Sequence, residues 1–307
     1  MPETDLFYEI TSLKTEQKNP RTEDIDKSTT IEILKLINDE DITVAHSVRK
    51  ELDFIAEAVD RIVFSFKNNG RLIYVGAGTS GRLGVVDASE CPPTFGSEPN
   101  LVRAIIAGGH KAVFQAQEGA EDSKEYGAFE IEKLNITKFD TVCGIAASGR
   151  TPFVIGALEK AKQIGAFTII LATVPKSQLK INGIKVDLYI CPEVGPEVIA
   201  GSTRMKSGTA QKLVLNMLTT ASFVRIGKTF GNVMVDLQQT NAKLKERSKK
   251  ILMSLTGVNY DESEEFLIKS KGNVKTALVM ILANCDYVAA IEKLEKADGF
   301  VKKALEY

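Results

Sequence analysis

Five short apolar runs, separated mostly by helical patterns, constrain the fold of this 307-residue chain. Each run is too short for a helix and is followed by glycine or small polar residues, and helical patterns such as that of Phe153–Ile164 fill most of the gaps. The runs are Leu72–Val75, Leu101–Ala107, Asp140–Ala146, Thr168–Ala172 and Asp187–Ile190. This alternation predicts an α/β fold with about five parallel strands between helices, and a ligand site at the carboxyl ends of the strands.

Helical patterns also precede and follow the predicted sheet. After a polar, turn-rich lead-in over residues 1–30, apolar spacing predicts one helix from Thr30 and a second over His46–Lys67. A long amphipathic helix is predicted at Lys206–Ile226, and short helical patterns with turn signals end the chain. We therefore expect three regions: an N-terminal arm with helices (1–68), a sheet domain (69–235) and a small C-terminal helical bundle (236–307).

Composition narrows the class of protein. A net charge of -1 gives no reason to expect nucleic acid or an anionic membrane as a partner. The four cysteines are scattered without a CxxC pair, which argues against a zinc site and against a disulfide scaffold. No apolar run of transmembrane length and no signal peptide is present. We expect a cytoplasmic protein without a metal centre, because the chain does not show the spacing of metal ligands.

The first candidate binding loop is Gly76–Arg82, GAGTSGR, which lies between a predicted strand and a predicted helix. Its backbone N–H groups and the hydroxyls of Thr79 and Ser80 could hold an anion at the start of the helix. The loop lacks the GxxxxGK[ST] pattern of a nucleoside-triphosphate site and does not match GxGxxG. A purely structural tight turn remains the alternative.

A second loop of the same kind follows the run that ends at Ala146. Ser148 and Thr151 flank its turn, and Pro152 suits the first position of the next helix, where it leaves backbone N–H groups for a ligand. The alternative is that one hydroxyl only caps the helix. Two such loops in one sheet favour a phosphorylated small molecule as the ligand.

The segment Gly195–Lys212 places Arg204 and Lys206 at the start of the long helix. Cations at a helix N-terminus oppose the macrodipole, so these two residues do not serve helix stability. An anionic ligand or a partner carboxylate would explain them, and a solvated charged turn is the alternative.

Carboxyl groups are the plausible acids and bases near this edge of the sheet. They are Glu90, beside Cys91-Pro92-Pro93, and the cluster of Glu118, Glu121 and Asp122. The chain has two histidines, and neither belongs to a Ser-His-Asp or Cys-His arrangement. Of these, His110 follows two glycines, where it lines a site or simply occupies a turn.

Several motifs together resemble the N-acetylmuramic acid 6-phosphate etherase family, whose members carry a flavodoxin-like sugar isomerase (SIS) domain. The likeness runs from the TEQKNP arm to the helical tail. The motifs are GAGTSGRLGVVDASECPPTFG, AGG followed by EGAEDS, GIAASGRTPFVIGALE, GPEVIAGSTRMKSGTAQKLVLNM and FGNVMVD. The stretch from Gly195 also resembles glucokinase regulatory proteins, but those have two SIS domains and about twice this length.

The resemblance implies cleavage of the D-lactyl ether of N-acetylmuramic acid 6-phosphate without a metal or nicotinamide. By position in the motifs, Glu90 corresponds to the family's general acid and Glu121 to a second acid. We expect Glu121 to remove the C2 proton and Glu90 to protonate the departing lactate oxygen, with burial beside the Cys91-Pro92-Pro93 turn raising the pKa of Glu90. A non-catalytic sugar-phosphate sensor and a sugar-phosphate isomerase remain alternatives.

The resemblance also implies where the substrate binds. The 6-phosphate is expected at Ser148 and Thr151 with the amides of Gly149 and Arg150, and the sugar is expected to face Thr79, Ser80 and Gly81. Arg204 is expected to reach the phosphate or the lactyl carboxylate, and the protein is expected to form a homodimer with sites near the interface. The tail resembles a ubiquitin-associated (UBA) three-helix fold.

Overall fold

Five parallel strands form the central sheet of the protein, seen here in a computed structural model that describes residues 13–179, 185–237 and 242–307. The strands are β1 (Leu72–Gly76), β2 (Val102–Ile106), β3 (Thr141–Ile145), β4 (Phe167–Leu171) and β5 (Leu188–Ile190). Their order is β2-β1-β3-β4-β5, which is the order of flavodoxin-like sheets. In register, Leu72 of β1 lies opposite Val102 on one side and Thr141 on the other. The predicted α/β fold is confirmed, strand for strand.

Two compact units divide the chain. Residues 1–88 and 100–218 form one, which we call the sheet unit, and residues 89–99 and 219–307 form the other, which we call the bundle unit. Seven longer helices accompany the sheet strands along the chain: α1 (Thr30–Arg49), α2 (Leu52–Lys67), α3 (Gly78–Phe95), α4 (Gly109–Phe114), α5 (Lys124–Lys133), α6 (Pro152–Ile164) and α7 (Lys206–Arg225). The two helices expected before the first strand are present, with their boundary at Lys50 and Glu51.

The core of the sheet unit is formed by β-branched side chains of the strands packed against apolar side chains of α6. Ile73, Val142, Phe153, Leu158 and Ile170 are among its fully buried members. The strands are buried almost throughout because a parallel sheet is covered on both faces, which explains why they appear in the sequence as continuous apolar runs.

Close contact between α5 and α6 depends on two glycines. A Cβ atom at Gly127 would collide with the carbonyl oxygen of Phe153, and one at Gly156 would collide with the carbonyl oxygen of Lys124. Any larger residue at either position would therefore push the two helices apart. The pair fixes the segment that precedes α5 against the beginning of α6.

The bundle unit has a core of its own. A two-stranded antiparallel hairpin precedes its helices, and the buried side chains include Leu252, Ala277, Leu278 and Ala290. The elements are β6 (Thr229–Phe230), β7 (Val233–Met234), α8 (Ala242–Thr256), α9 (Tyr260–Lys269), α10 (Val274–Leu282), α11 (Tyr287–Lys296) and α12 (Val301–Ala304). The expected C-terminal helical bundle is thus present. In the described part of the chain, no single helix has the length and apolar character to cross a membrane; α10 and α11 pass that test only as a pair bent by 103°.

Candidate active site

A cleft of about 220 Å³ lies at the carboxyl ends of β1 and β3. These neighbouring strands flank the point where the strand order reverses, which is where open α/β sheets bind ligands, because the loops leave in opposite directions there. Hydroxyl groups dominate the polar wall, and the carboxyl groups of Glu16 and Glu121 lie among them. Of the predicted site residues, Thr79, Ser80, Glu121, Ser148 and Thr151 line this cleft.

The loop after β1 is held by glycines that allow the backbone to turn back on the sheet. A Cβ atom at Gly76 would be 2.7 Å from the Gly81 nitrogen, and one at Gly81 would be 2.6 Å from Cγ1 of Ile106. Gly81 is buried beneath the turn and is absent from the cleft wall. Buried Ser80 donates a hydrogen bond of 2.9 Å to Oε1 of Gln211. Thr79 is left as the more exposed hydroxyl on this side.

The loop after β3 presents the second pair of hydroxyls. Gly149 adopts a φ of 69°, and its N–H donates to the Ala146 carbonyl oxygen at 3.0 Å, so this amide already has a partner within the turn. Thr151 is the N-cap of α6, but its side chain makes no capping hydrogen bond. The capping alternative is therefore wrong for Thr151. Its hydroxyl lies in the cleft beside Ser148, at the positive end of a 13-residue helix.

Glu121 reaches the cleft because the α5 and α6 pair holds its backbone. The Phe153 N–H donates to the Glu121 carbonyl oxygen at 3.0 Å. Partial desolvation raises the pKa of the Glu121 carboxyl, and the negative charges of Asp122 and Glu118 raise it further. Among the residues that the structure describes, no cation contributes to the pKa shift of Glu121. A carboxyl whose pKa is raised toward neutrality is suited to proton transfer.

Glu90 differs from its prediction. The Cys91-Pro92-Pro93 stretch was expected to be a turn, but α3 continues through both prolines to Phe95, and Gly96 N–H bonds to the Pro92 carbonyl oxygen at 2.9 Å. In a helix interior each proline removes one backbone hydrogen bond and crowds the preceding turn; here both prolines lie in the last turn of α3, which ends at Phe95. Glu90 is exposed, and the expected burial is wrong. It belongs to the bundle unit and Glu121 to the sheet unit, so their pairing stays a prediction.

Lys206 has a partner carboxylate, which decides between the alternatives left open for it. Its fully buried ammonium group donates to Oε2 of Glu40 at 2.6 Å, and Arg21 donates from Nη2 to the same oxygen at 2.8 Å. The Arg21 guanidinium lowers the pKa of Glu40 to about 2, with Lys206 contributing in the same direction. Glu197 accepts the N–H groups of Lys206 and Ser207, which caps α7. Arg204 is exposed in the preceding turn.

Sequence reasoning missed three residues of the cleft wall: Thr15, Glu16 and Thr203. The first two belong to the arm that was expected to be an irregular lead-in. Thr15 is 1% exposed, and its hydroxyl has no hydrogen-bond partner among the described residues. The TEQKNP motif was noticed as part of the family resemblance, but its polar composition gave no local sign of burial.

The arm lies against the sheet unit through four contacts with the segment that leads into α7. The Gly201 N–H donates to the Thr15 carbonyl oxygen at 3.1 Å, and the Thr22 hydroxyl donates to the Val198 carbonyl oxygen at 2.8 Å. Asn19 Nδ2 reaches the Pro196 carbonyl oxygen at 3.4 Å, and Lys14 pairs with Glu193 at 3.2 Å. These contacts fix Thr15 and Glu16 as part of the cleft wall.

Metal-ligating side chains do not cluster in the part of the chain that the structure describes. No three His, Cys, Asp or Glu side chains of this part of the chain lie close enough together to hold a metal ion. None of the four cysteines forms a disulfide bond.

Comparisons with known proteins identify the family. The family model of the glucokinase regulatory protein N-terminal SIS domain matches residues 54–162. The chain is 56% identical over 308 residues to an N-acetylmuramic acid 6-phosphate etherase of Salinibacter ruber, covering 100% of this chain and 98% of that protein. It is 53% identical over 294 residues to the etherase of Oceanobacillus iheyensis, covering 96% and 99%. A solved phosphoheptose isomerase from Francisella tularensis has a TM-score of 0.49 at 17% identity, covering 64% of this chain and 100% of that chain.

In each pairwise alignment more than half of the aligned residues are identical to those of the etherase, and each alignment spans nearly the whole of both proteins. The first alignment covers 100% of this chain and therefore spans the segments that build the cleft, from the arm to α7. This chain therefore belongs to the N-acetylmuramic acid 6-phosphate etherase family.

Proposed function

We propose that this protein is an N-acetylmuramic acid 6-phosphate etherase, a lyase that releases D-lactate from the C3 ether and leaves N-acetylglucosamine 6-phosphate. One observation carries the proposal beyond family membership. Glu121, a carboxyl with a raised pKa, lies in a cleft whose other polar groups are mainly hydroxyls from two strand ends. That combination offers hydrogen bonds to a phosphorylated sugar and a base at the same place.

The 6-phosphate binds at the loop after β3. Ser148 and Thr151 donate their hydroxyls, and the N-terminal end of α6 favours the negative charge. Thr79 binds the sugar hydroxyls together with Thr15, Glu16 and Thr203, which line the same cleft. Arg204, exposed before α7, is available to a phosphate or carboxylate oxygen.

The reaction proceeds from the open-chain aldehyde of the sugar. Glu121 removes the C2 proton, the C2–H electron pair forms the C2–C3 double bond, and the C3–O bond breaks. Glu90 protonates the departing lactate oxygen. Water then adds at C3 of the unsaturated aldehyde, giving up one proton to a carboxylate while C2 regains one, and the product closes its ring. The sum is one ether and one water converted into one alcohol and one D-lactate.

Purified protein and N-acetylmuramic acid 6-phosphate are sufficient for the test. We expect stoichiometric D-lactate and N-acetylglucosamine 6-phosphate, and in heavy-oxygen water we expect the label at O3 of the sugar and not in lactate. A sugar-phosphate isomerase would return the C2 proton to C1 and release no lactate. A regulator would bind the sugar phosphate without turnover. Either result contradicts the proposal.

The assignment of Glu90 rests on the family resemblance and has its own test. The Glu90→Gln protein is expected to bind the substrate and release lactate far more slowly, because each such proton transfer is typically worth about 10²–10⁴-fold. Full lactate release by a correctly folded Glu90→Gln protein would exclude Glu90 as the acid.

We also propose a cytoplasmic homodimer with its sites near the interface. Four cysteines without a disulfide bond suit a reducing compartment, and a phosphorylated amino sugar is a metabolite of the cell interior. Light scattering during size-exclusion chromatography measures the mass, and an active monomer would contradict the dimer.

A further inference from the structure

Glu121 borders a second, smaller cleft. It has a volume of about 130 Å³ and shares Ala77, Gly78 and Glu121 with the first. We call it the Arg82 cleft, because Arg82 is the one arginine or lysine among the described residues that line either cleft. Gln117 and Glu118 complete its polar wall. The two clefts therefore meet at the residue proposed to act on C2.

Arg82 makes one hydrogen bond among the described residues and has further N–H donors available for a ligand. It is the fifth residue of α3, and its Nε donates to the Val113 carbonyl oxygen near the end of α4 at 3.0 Å. Its two Nη nitrogens make no hydrogen bond or ion pair with the described residues, and the side chain is half-buried. A guanidinium fixed at Nε presents the Nη donors in a defined direction, and these donors match a carboxylate in geometry and charge.

The substrate of the proposed function carries two anionic groups at opposite ends of its reacting part. The phosphate is on C6, and the lactyl carboxylate is on the substituent at C3, next to C2. If the phosphate lies at Ser148 and Thr151 and C2 lies at Glu121, the lactyl group extends past Glu121 away from the phosphate. The Arg82 cleft meets the first cleft at Glu121, so it adjoins the position proposed for C2 and has room for the substituent at C3.

We propose that the Arg82 cleft is the subsite for the lactyl carboxylate, with Arg82 as its binding group. The proposal rests on the proposed function and deepens it. Arg82 then selects muramic acid 6-phosphates over sugar phosphates without a carboxylate, and it orients the C3–O bond beside the C2 base. The competing interpretation is that Arg82 only fixes Val113 and never contacts substrate.

The test combines changes in the enzyme and in the substrate. The variants are Arg82→Gln, Arg82→Lys and the control Arg49→Gln, which alters an exposed arginine at the end of α1. The substrates are N-acetylmuramic acid 6-phosphate and its lactamide, which replaces the carboxylate by an uncharged amide. Formation of N-acetylglucosamine 6-phosphate is measured for each pair, because that product is common to both substrates.

For the wild-type protein we expect kcat/KM to fall about 10- to 100-fold from the carboxylate to the amide, the usual range for a hydrogen bond to a charged group. Arg82→Gln should show a similar fall on the natural substrate and little further loss on the amide. Arg82→Lys should lie between, and Arg49→Gln should match wild type. Inhibition by N-acetylglucosamine 6-phosphate should be unchanged in Arg82→Gln, because this product has no lactyl group.

Equal losses on both substrates in Arg82→Gln, with weaker product inhibition, would show a structural role and overturn the subsite. If the wild-type protein forms no product at all, the proposed function fails, and calorimetry decides the subsite separately. The subsite then predicts that N-acetylmuramic acid 6-phosphate binds wild type at least about 10-fold more tightly than N-acetylglucosamine 6-phosphate and that Arg82→Gln removes the difference. Equal binding of the two by wild type would overturn it.

Discussion

Two carboxyl groups of the sheet unit show how differently the fold treats a buried charge and a reactive one. Glu40 is 2% exposed and has Arg21 and Lys206 as partners, and its pKa falls to about 2. Glu121 lies in the cleft, where desolvation and two neighbouring acids raise its pKa. Arg21 and Lys206 contact the Glu40 carboxylate, whereas no cation of the described residues contributes to the pKa shift of Glu121.

This contrast separates groups that serve the fold from groups that remain available for a ligand. The ion pairs of Glu40 with Arg21 and Lys206 link the arm, α1 and α7. Removing one partner would leave a buried charge without its counter-ion. Uncompensated groups gather at the cleft: the charges that shift the pKa of Glu121 are both acidic, the Thr151 side chain makes no capping hydrogen bond, and the Thr15 hydroxyl is unpartnered among the described residues. Such groups are costly to the fold and are expected where a ligand completes them.

The largest expected effect is on catalysis. Glu121→Gln should lower D-lactate release about 10²–10⁴-fold, because the base at C2 is lost. Its unfolding midpoint should stay the same or rise, since a carboxylate is removed from beside Asp122 and Glu118. Glu125→Gln, which alters an exposed acid at the start of α5, is the control and should keep wild-type activity. Wild-type lactate release by Glu121→Gln would remove Glu121 from the mechanism.

The second largest effect is on stability: a change at Glu40 should destabilise the fold, whereas the change at Glu121 should lower activity. Glu40→Gln should lower the free energy of unfolding by about 3–5 kcal/mol, because the fully buried Lys206 ammonium loses its counter-ion. Asp39→Asn changes an exposed residue beside it on α1 and should stay within about 0.5 kcal/mol of wild type. Urea unfolding measures both proteins. Equal stability of the two variants would show that the network is dispensable.

The two carboxyl groups should also give stability opposite dependences on pH. The lowered pKa of Glu40 means that its contribution is complete above its ordinary value of 4.5 and is lost as pH falls toward about 2. The raised pKa of Glu121 means that its contribution is complete below 4.5 and is lost as pH rises through the folded-state value.

Thermal unfolding of wild type, Glu40→Gln and Glu121→Gln across this range tests the signs. The midpoint difference between wild type and Glu40→Gln should shrink on acidification below 4.5. The difference between wild type and Glu121→Gln should become less favourable to wild type as pH rises above 4.5. Parallel curves for the three proteins would contradict both assignments.

Asp122→Asn tests how far the charge of Asp122 raises the pKa of Glu121. Desolvation is the largest cause of its raised pKa and the charge of Asp122 is the next, so removing that charge reverses only part of the shift. The acidic limb of the pH profile of kcat/KM should therefore move to lower pH without vanishing. An unchanged limb would show that another group titrates there.

The smallest effect compares two threonines of the arm. Thr22→Val loses the hydrogen bond to the Val198 carbonyl oxygen and should destabilise the protein by about 1 kcal/mol. Thr15→Val removes a buried hydroxyl without a described partner, so stability should hold or improve while the apparent affinity for substrate weakens. Thermal unfolding and KM measurements on both variants check this. Equal destabilisation by the two changes would show that Thr15 has a structural partner.

Local patterns were sufficient for most of the fold. The apolar runs gave all five strands to within one or two residues, because strands covered on both faces must be apolar at consecutive positions. Proline at the first turn of α6 and glycine after it marked that helix correctly. The turn predicted at Pro92-Pro93 is wrong, because the prediction considered the two prolines alone and not the helix that precedes them, which continues to Phe95.

The site was only partly predictable. Hydroxyls at Thr79, Ser80, Ser148 and Thr151 were found because each directly follows a strand, and parallel strands end at one edge. Thr15, Glu16 and Thr203 were missed because polar residues in irregular segments carry no periodicity that would reveal burial. The partner of Lys206 was equally hidden, since Glu40 lies 166 residues away in the chain.

The sequence by itself determined the strands, the two hydroxyl-bearing loops and the family, because these depend on local composition and on motifs read in order. Only the tertiary structure decided which charges are compensated. Packing of the arm and α1 against α7 gives Glu40 two cations, whereas packing of α5 on α6 through Gly127 and Gly156 holds Glu121 where desolvation and neighbouring acids set the direction of its pKa shift. Electrostatic environment depends on distances in space and on desolvation, and neither can be read from positions along a chain.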